Sequence, residues 1–569
     1  MDIVSKVRRH AHERPDAPAV ILLTDGDSQE LTLSYRELNA QAEATAAALR
    51  TRGLSGRCVV LSFPTGLDFV RALLGCFYSG AIAVPTPPIK PSDKLGEARL
   101  ALLAQDCGAA LILSTAATIT AQRANGQSSP LGPPWSTLDE LGSGGDPSEL
   151  HWPTQEDVAF IQYTSGSTAA PKGVIVSYSN LAANFAATGE AMRMDADTTF
   201  LSWLPLFHDM GLIGILLQAL HRGQKLILMS PQHFIQKPIR WLRAISKYRA
   251  TLSGGPNFAY DLCVRRSTPE QREGLDLSCW RVAFNGAEPV RASTLADFSE
   301  AFAASGFRPQ ALFPCYGMAE TTLYASGGFT ADAGAVGFDR GELANGVASP
   351  SADPSSSQLL VSCGTPPPAH EVVIVGPETR HRRPAGEIGE IWVRGPSVAK
   401  GYWGGRSPET FNAVTADGAD GFLRTGDLGA LFGDQLFVTG RIKDLIIVRG
   451  RNIYPQDVEW IAERCSAVAE LGSAVAVVEA CGDDERLVVV QELRRARGVP
   501  LSTIRSEIVA AVTGAIDVSP GRVVLVPAGS LPKTSSGKIR RHLVRQGLAD
   551  RSLQTLDELS TGPVAETAS

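Results

Sequence analysis

Short apolar runs alternate with segments of helical spacing along most of the chain. Residues 59–63 form an apolar run, residues 68–78 carry apolar side chains at helical intervals, and residues 81–84 form another run before the proline-rich stretch PTPPIKP. Similar short apolar runs occur at residues 111–114, 158–163, 225–229 and 372–375. Buried strands between helices are typical of parallel sheets that helices cover. The pattern therefore predicts an α/β fold of layered sheets and helices.

Two polar stretches interrupt this alternation. Residues 124–134 are rich in Gly, Ser and Pro, and residues 341–357 read GELANGVASPSADPSSS. Both compositions predict loops, because small and polar residues favour turns and bury little apolar surface.

The length of 569 residues predicts more than one domain. We expect an N-terminal domain over residues 1–440 and a smaller C-terminal domain over residues 441–569. Apolar runs at residues 445–448 and 522–526 supply strands for the second domain, and residues 555–569 are polar enough to predict a disordered tail.

Composition and charge exclude several classes of protein. Apolar residues make up 44% and charged residues 20% of the chain, and the net charge of −6 offers no basic surface for nucleic acid. The nine cysteines form no CxxC pair, which argues against a zinc knuckle or a disulfide framework. We find no transmembrane segment and no signal peptide, so the sequence predicts a cytoplasmic protein.

A polar loop follows the apolar run at residues 158–163. Residues 163–173 read YTSGSTAAPKG. Backbone N–H groups, hydroxyls and a lysine at the end of a strand are what a polyphosphate needs, although a solvated turn has the same composition. The loop lacks the Gly-Lys-Ser/Thr ending of a Walker A motif.

Two further motifs follow apolar runs. NGAEP occupies residues 285–289 and CYGMAETT occupies residues 315–322. Ligands bind at the carboxyl ends of parallel strands, where Tyr316 can stack on a purine and Glu320 can hold Mg²⁺. Taken alone, an aromatic residue at such a place is more often part of the core.

The last two motifs lie toward the C-terminus. RTGDL, at residues 424–428, contains Asp427, which can accept hydrogen bonds from ribose hydroxyls with Arg441 in support, or can simply cap a turn. LPKTSSGKIRR, at residues 531–541, places Lys538 on a polar loop. A lysine that a moving loop brings to the reaction centre can neutralise charge in a transition state. An isolated lysine, however, is more often part of a basic surface loop.

Together, over residues 35–541, the four motifs resemble the acyl-adenylate-forming superfamily of acyl-CoA synthetases, nonribosomal adenylation domains and luciferases. Three segments are similar to its fatty acyl-AMP ligase branch, namely SWLPLFHDMGL (202–212), SGGPNFAY (253–260) and DLIIVRGRN (444–452). The stretch between Thr322 and Gly364 is also longer than in acyl-CoA synthetases. The resemblance implies a large N-terminal domain, a small mobile C-terminal domain and an active site between them.

The resemblance also implies that ATP and a fatty acid react to give acyl-AMP, with Mg²⁺ present. The residues implied in nucleotide binding are Thr164, Ser165, Gly166, Ser167, Thr168, Lys172, Asn285, Gly286, Ala287, Glu288, Tyr316, Gly317, Met318, Asp427 and Arg441. The catalytic residues implied are Lys538, His208 and Glu320, of which Glu320 is also the metal ligand. The residues implied at the acyl chain are Trp203, Asp209, Met210, Leu212, Ile215, Gly255, Phe258 and Tyr260, and Lys443 corresponds to the hinge.

The acceptor of the acyl group follows from the branch. The resemblance implies that an insertion, expected here around residues 337–358, restrains the small domain and disfavours coenzyme A, so that acyl-AMP would pass to a holo-acyl carrier protein. An acyl- or aryl-CoA synthetase remains the main alternative, and a non-catalytic acyl- or nucleotide-binding homologue is the second. A homologue without activity would have no need of Lys172, Glu320, Asp427, Arg441 and Lys538 together.

Overall fold

A computed structural model describes residues 2–89, 93–124, 132–142, 146, 149–164, 171–448, 451–481, 484–516, 518–534 and 538–557. The longer helices cover the sheets and are Ile3–Glu13, Tyr35–Thr51, Leu67–Ser79, Lys94–Asp106, Ala116–Ala124, Tyr178–Ala191, Ile239–Tyr248, Asn257–Arg266, Ala292–Phe302, Pro455–Ala462, Leu501–Ile516 and Arg541–Ala549. Shorter helices are Asp209–Gly211, Gln218–Arg222, Pro231–Gln236, Pro269–Arg272, Thr330–Ala333 and Arg340–Ala344, and Leu212–Leu217 is a π-helical turn. Among the helices described here, none combines the length and the apolar character needed to cross a bilayer.

Two large sheets form the N-terminal part of the protein. In spatial order, the six-stranded sheet contains Trp135–Ser136, Leu111–Ser114, Cys58–Ser62, Ile82–Pro85, Val158–Thr164 and Lys172–Ser177. The eight-stranded sheet contains Tyr324–Gly327, Leu312–Gly317, Val282–Asn285, Leu252–Gly254, Phe200–Ser202, Leu226–Met229, Pro18–Leu23 and Glu30–Ser34. Neighbouring strands are parallel except at the edges, where Lys172–Ser177, Tyr324–Gly327 and Glu30–Ser34 each pair antiparallel. This arrangement confirms the α/β prediction.

A four-stranded antiparallel sheet follows in the chain. Its strands are Glu371–Val375, Gly389–Arg394, Leu423–Phe432 and Gln435–Arg441. The apolar run at 372–375 therefore forms a strand as predicted, but not in a parallel sheet. Short apolar runs indicate burial on both faces and carry no information about the direction of the neighbouring strand.

The predicted loop at residues 341–357 is wrong in part. Arg340–Ala344 is a helix, and Ser357–Val361 is a strand that pairs antiparallel with Ala335–Asp339. Leu343 is buried, with Phe338, against the four-stranded sheet. A few apolar anchors in a polar stretch thus order it through tertiary contacts that its composition does not reveal.

The C-terminal part has its own sheet and cores. Glu470–Cys481, Asp484–Arg495 and Arg522–Pro527 form a three-stranded sheet, and Ile446–Val448 pairs with Arg451–Ile453. The two buried clusters on its faces draw their residues from position 446 onward. The predicted runs at 445–448 and 522–526 both form strands.

Candidate active site

Lys538 faces a cleft lined by charged residues from distant parts of the chain. Its charge interacts with Arg441, Asp209, Glu288 and Asp427, which follow or belong to four separate elements. Desolvation and the neighbouring Arg441 guanidinium lower the pKa of Lys538. The Lys538 side chain is exposed, so the site is open to solvent. The walls of the cleft, rather than complete burial of the side chain, cause the lowered pKa. The cleft thus places one cation where substrate charge can be neutralised.

Asp427 is held from two sides. The Tyr316 hydroxyl donates to Asp427 Oδ2 at 2.8 Å, and Arg441 Nε donates to Asp427 Oδ1 at 2.6 Å. The negative charge of Asp427 raises the pKa of Arg441. Burial, and to a lesser extent the Asp427 charge, raises the pKa of Tyr316, so both groups stay protonated. Each carboxylate oxygen keeps a further lone pair, so Asp427 can still accept from ligand hydroxyls.

Glu320 and Lys172 meet through an aromatic residue that sequence reasoning missed. The Tyr402 hydroxyl donates to Glu320 Oε1 at 2.8 Å, and Lys172 Nζ lies 5.0 Å from the centre of the Tyr402 ring. Burial raises the pKa of Glu320, and the Tyr402 hydrogen bond opposes that shift. Tyr402 is 82 residues from Glu320 in the chain, and no local pattern links the two.

His208 and Asp209 form a close pair at the start of the short helix Asp209–Gly211. His208 Nδ1 lies 2.6 Å from Asp209 Oδ1. Burial alone would raise the pKa of Asp209, but the His208 contact and the Lys538 charge outweigh it and lower that pKa. Asp209 is therefore an anion that faces Lys538.

The segment 285–288 is shaped to approach a ligand closely. Ala287 has φ of +71°, a left-handed conformation that costs a non-glycine residue of order 1–3 kcal/mol and is found mainly at functional sites. The buried Asn285 Oδ1 and a Glu288 carboxylate oxygen have no hydrogen-bond partner among the described residues. A flat polar ligand could supply the missing donors.

Asn257 is a second residue that the sequence analysis missed. Its Oδ1 accepts from Asn285 Nδ2 and from the Arg291 backbone N–H, both at 3.1 Å, and its Nδ2 donates to the Pro289 carbonyl at 2.9 Å. Its position directly after a Gly-Gly-Pro turn was the available signal. These bonds hold the 285–289 segment in place.

Glycines keep the neighbouring backbone close. A Cβ on Gly317 would lie 1.7 Å from the Leu323 carbonyl oxygen, and one on Gly286 would lie 2.8 Å from that of Cys315. No side chain fits at Gly317. Met318, which follows, is half-buried against the main core.

The predicted acyl-chain residues divide into two groups. The Trp203 ring lies 5.8 Å from that of Phe258, which is 38% exposed, and a Cβ on Gly255 would lie 2.7 Å from Trp203. Trp203 Nε1 has no partner among the described residues. These three residues are in contact, although Trp203 and Gly255 are buried and only Phe258 is exposed, and half-buried Met210 packs against the same core.

The other group lies inside the protein. Leu212 and Ile215 are buried in the π-helical turn, and such turns are frequent at functional sites. Tyr260 is fully buried among aromatic rings, and its hydroxyl donates to the Phe284 carbonyl at 2.8 Å. Tyr260 thus packs behind the site, where a substrate would not touch it.

Only the two ends of the predicted phosphate loop are among the described residues. Thr164 ends one strand and Lys172 begins the next, and the two residues are paired across the ladder. Ser165, Gly166, Ser167 and Thr168 lie outside the described residues. Lys443 lies in the 3₁₀ turn Ile442–Asp444, between the four-stranded sheet and the C-terminal part; its hinge role stays a prediction.

Comparisons with known proteins identify the family of the chain. Residues 7–403 match the family of AMP-binding enzymes. The chain is 38% identical to a medium-chain-fatty-acid–[acyl-carrier-protein] ligase of Moorena producens, covering 95% of this chain and 94% of that one. It is also 38% identical to a long-chain-fatty-acid–AMP ligase of Mycobacterium marinum, covering 95% and 96%.

Solved structures give the same result. The fatty acyl-adenylate ligase of Legionella pneumophila, solved with acyl adenylate and pyrophosphate, is 38% identical and superposes with a TM-score of 0.75 over 96% of each chain. The chain belongs to the AMP-binding enzyme family, within its fatty acyl-AMP ligase branch.

Proposed function

We propose that this protein joins a fatty acid to the AMP part of ATP and passes the acyl group to the phosphopantetheine thiol of a holo-acyl carrier protein. The meeting of Lys538 with Asp209, Glu288, Asp427 and Arg441 carries the proposal. Lys538 is a cation on a C-terminal loop, and it lies beside the fixed ion pair of Asp427 and Arg441. This arrangement suits a reaction in which charge moves between a carboxylate and a phosphate. The activities in the names of the relatives support the same reaction.

The first step is a substitution at phosphorus. A carboxylate oxygen of the acid attacks the α-phosphorus of ATP, the bond from that phosphorus to the bridging β-oxygen breaks, and pyrophosphate leaves with the bonding electrons. We assign Lys538 to the carboxylate and α-phosphate, Asp427 and Arg441 to the ribose, and Lys172 with Thr164 to the outer phosphates. The protein contributes position and charge. In the second step the carrier's thiolate attacks the acyl carbonyl carbon and AMP leaves.

Mg²⁺ fits beside Glu320. Within the part of the chain that the structure describes, no group of three or more His, Cys, Asp or Glu side chains could form a metal cage. Mg²⁺ usually needs only one or two protein carboxylates, since phosphates and water complete its shell. Glu320, held by Tyr402, supplies one such oxygen. The ion would neutralise phosphate charge as pyrophosphate leaves.

The small domain is proposed to begin at residue 441 and to turn at Lys443. In the pose seen here two hydrogen bonds between described residues join the insertion to it: Gln358 Nε2 donates to Asp457 Oδ2 at 2.9 Å, and Arg340 Nη1 donates to the Ala515 carbonyl at 3.1 Å. These contacts stabilise the pose in which Lys538 faces the cleft. A carrier protein can offset their loss with its own surface contacts, whereas free coenzyme A has little surface to offer. We place the reaction in the cytoplasm, where ATP is made available.

A product assay tests the proposal. Purified protein is incubated with ATP and a panel of fatty and aryl acids, with Mg²⁺ present or chelated, and with either coenzyme A or a holo-carrier protein. Acyl-AMP, acyl-CoA and acyl-carrier thioester are measured separately. We expect Mg²⁺-dependent acyl-AMP and carrier thioester. Rapid acyl-CoA formation would replace this proposal with a coenzyme A synthetase, and no adenylate from any acid would indicate a binding protein.

A further inference from the structure

Arg406 and Asp106 form an ion pair beside the two strands that lead into and out of the phosphate loop. Arg406 Nη2 lies 2.6 Å from Asp106 Oδ2. The same carboxylate oxygen accepts from the Tyr163 hydroxyl at 2.5 Å, and Arg406 Nη1 donates to the Pro171 carbonyl at 3.2 Å. The pair therefore contacts Tyr163 on the incoming strand and Pro171, the residue directly before the outgoing strand.

The strand register connects these contacts to the phosphate ligands. Thr164 pairs with Lys172, and Tyr163 pairs with Gly173. Tyr163 directly precedes Thr164, and Pro171 directly precedes Lys172. When one residue is anchored by hydrogen bonds, the backbone of the next residue in the chain has little freedom to move. Asp106 and Arg406 consequently limit the position of Thr164 and Lys172.

The two anchors come from elements that lie far apart in the chain, and both elements also pack on the strand pair, through the Val174–Tyr402 bridge and through Ile161. Asp106 is the last residue of the helix Lys94–Asp106, which packs on the six-stranded sheet, and Arg406 follows the turn Trp403–Gly405. Arg406 and Asp106 are 300 residues apart in the chain. Tyr402, which contacts both Lys172 and Glu320, lies just before the same turn. One turn thus supports the phosphate-facing lysine from two directions.

In this cluster the Tyr163 hydroxyl and the Arg406 guanidinium are donors, and the Asp106 carboxylate is their acceptor. Burial and the Asp106 hydrogen bond raise the pKa of Tyr163, so its hydroxyl remains a donor across the working pH range. The Asp106 side chain is only 19% exposed, so water screens the ion pair less than it screens an open surface pair. An ion pair that also bonds to Tyr163 and to the Pro171 carbonyl is a better geometric constraint than an isolated salt bridge.

We propose that Arg406 and Asp106 are positioning residues that set Lys172 and Thr164 for the outer phosphates of ATP and for pyrophosphate. Neither residue touches the nucleotide in this assignment. The inference rests on the proposed function for the identity of the ligand. It predicts that the cluster affects ligands that carry the outer phosphates and leaves AMP, which lacks them, unaffected.

Binding measurements without a fatty acid test this inference. Titration calorimetry gives the dissociation constants of Mg-ATP, of pyrophosphate and of AMP for wild type, Arg406→Ala, Asp106→Asn and the double variant. We expect about a tenfold weaker binding of ATP and of pyrophosphate in each single variant, as for the loss of a charge-assisted hydrogen bond. AMP binding should change less than about twofold, and Arg406→Lys should recover part of the loss.

Coupling between the two residues gives a second readout. If they act through one cluster, the double variant should bind ATP about as weakly as either single variant, since interacting sites are not additive. Arg281→Ala is the matched control, because Arg281 also pairs with an aspartate, Asp195, at 2.6 Å, but elsewhere on the protein. It should bind all three ligands as wild type does.

The possible failures can be told apart. Equal weakening of AMP and ATP in the Arg406 and Asp106 variants would show a general structural role and overturn the inference, as would unchanged ATP binding. Failure of the proposed function would appear instead in the wild type, as ATP binding without any acyl-AMP product.

Discussion

Asp427 and Arg441 lie directly opposite each other on adjacent antiparallel strands, with Arg441 Nε 2.6 Å from Asp427 Oδ1. Tyr316, from the eight-stranded sheet, holds the other carboxylate oxygen. Two sheets therefore position one carboxylate before any ligand arrives. Such preorganisation reduces the entropy that the protein loses when it binds a nucleotide.

Replacing Asp427 should weaken nucleotide binding. Asp427→Ala removes the proposed acceptor of the ribose hydroxyls and leaves the Arg441 charge without its partner, so we expect ATP binding to fall by about 2–3 kcal/mol. Titration with ATP and 2′-deoxy-ATP measures this, and the variant should discriminate less between the two. Asp420→Ala, an exposed aspartate nearby in sequence, is the control. If wild type and Asp427→Ala distinguish the two nucleotides equally, Asp427 does not bind the ribose.

Lys538 should matter for chemistry more than for ATP affinity. Lys538→Ala should reduce the rate of acyl-AMP formation by roughly 10²–10³, the scale for removing one preorganised charge donor. Lys533→Ala removes a lysine on the same polar segment that instead pairs with Glu492, and should retain the rate. Single-turnover formation of acyl-AMP is the measurement. A normal rate in Lys538→Ala would contradict the assignment.

The contacts of the insertion should influence the choice of acceptor. Deleting about twenty residues within 337–358 should raise acyl-CoA formation, because a bias of about 3 kcal/mol toward the adenylating pose would leave the other pose near one per cent. Phe338 is fully buried and its ring lies 5.1 Å from that of Phe437, so the deletion also uncovers the four-stranded sheet.

A sharper variant keeps that packing. Arg340→Ala combined with Gln358→Ala removes both hydrogen bonds to the small domain and spares Phe338. We expect more acyl-CoA per acyl-AMP formed, with adenylation largely unchanged. Arg383→Ala, which removes an exposed pair with Glu387, is the control. If acyl-CoA formation is unchanged in both the deletion and the double variant, the insertion does not influence which acceptor the protein uses.

Docking of the small domain should depend on pH near 6. Burial raises the pKa of Asp457 from 3.8 to about 6, while the hydrogen bond from Gln358 and the charges of Arg291 and Arg340 oppose the rise and Glu459 adds to it. A raised pKa means that the docked state holds the proton more tightly. Its contribution to docking is complete below the ordinary pKa and is lost as pH rises through about 6.

Fluorescence energy transfer between labels on the two domains, followed from pH 5 to 8, measures this effect. We expect docking to weaken as the pH rises toward about 6 and to change little above it. Asp457→Asn resembles the protonated side chain and should remove this pH dependence while keeping the Gln358 contact. A wild-type protein whose docking does not vary over this range would contradict the prediction.

Local patterns in the sequence predicted much of this protein. The apolar runs at 158–163 and 225–229 form strands, and the motifs that begin at residues 163, 285 and 315 start within the last residues of strands rather than after them. These features depend on neighbours in the chain, because apolar periodicity and turn residues act over a few positions. The resemblance of four ordered motifs was likewise sufficient to indicate the family.

Tertiary structure alone decided which residues meet. Tyr402 contacts Glu320, Arg406 contacts Asp106 across 300 residues, and Tyr260 faces the aromatic core although its neighbour Phe258 is exposed. Periodicity shows that a side chain is buried but does not name its partner. Such pairings depend on how separate sheets and helices pack, which is a property of the whole chain. The sequence therefore determined the chemistry available to this protein, and packing decided how that chemistry is assembled.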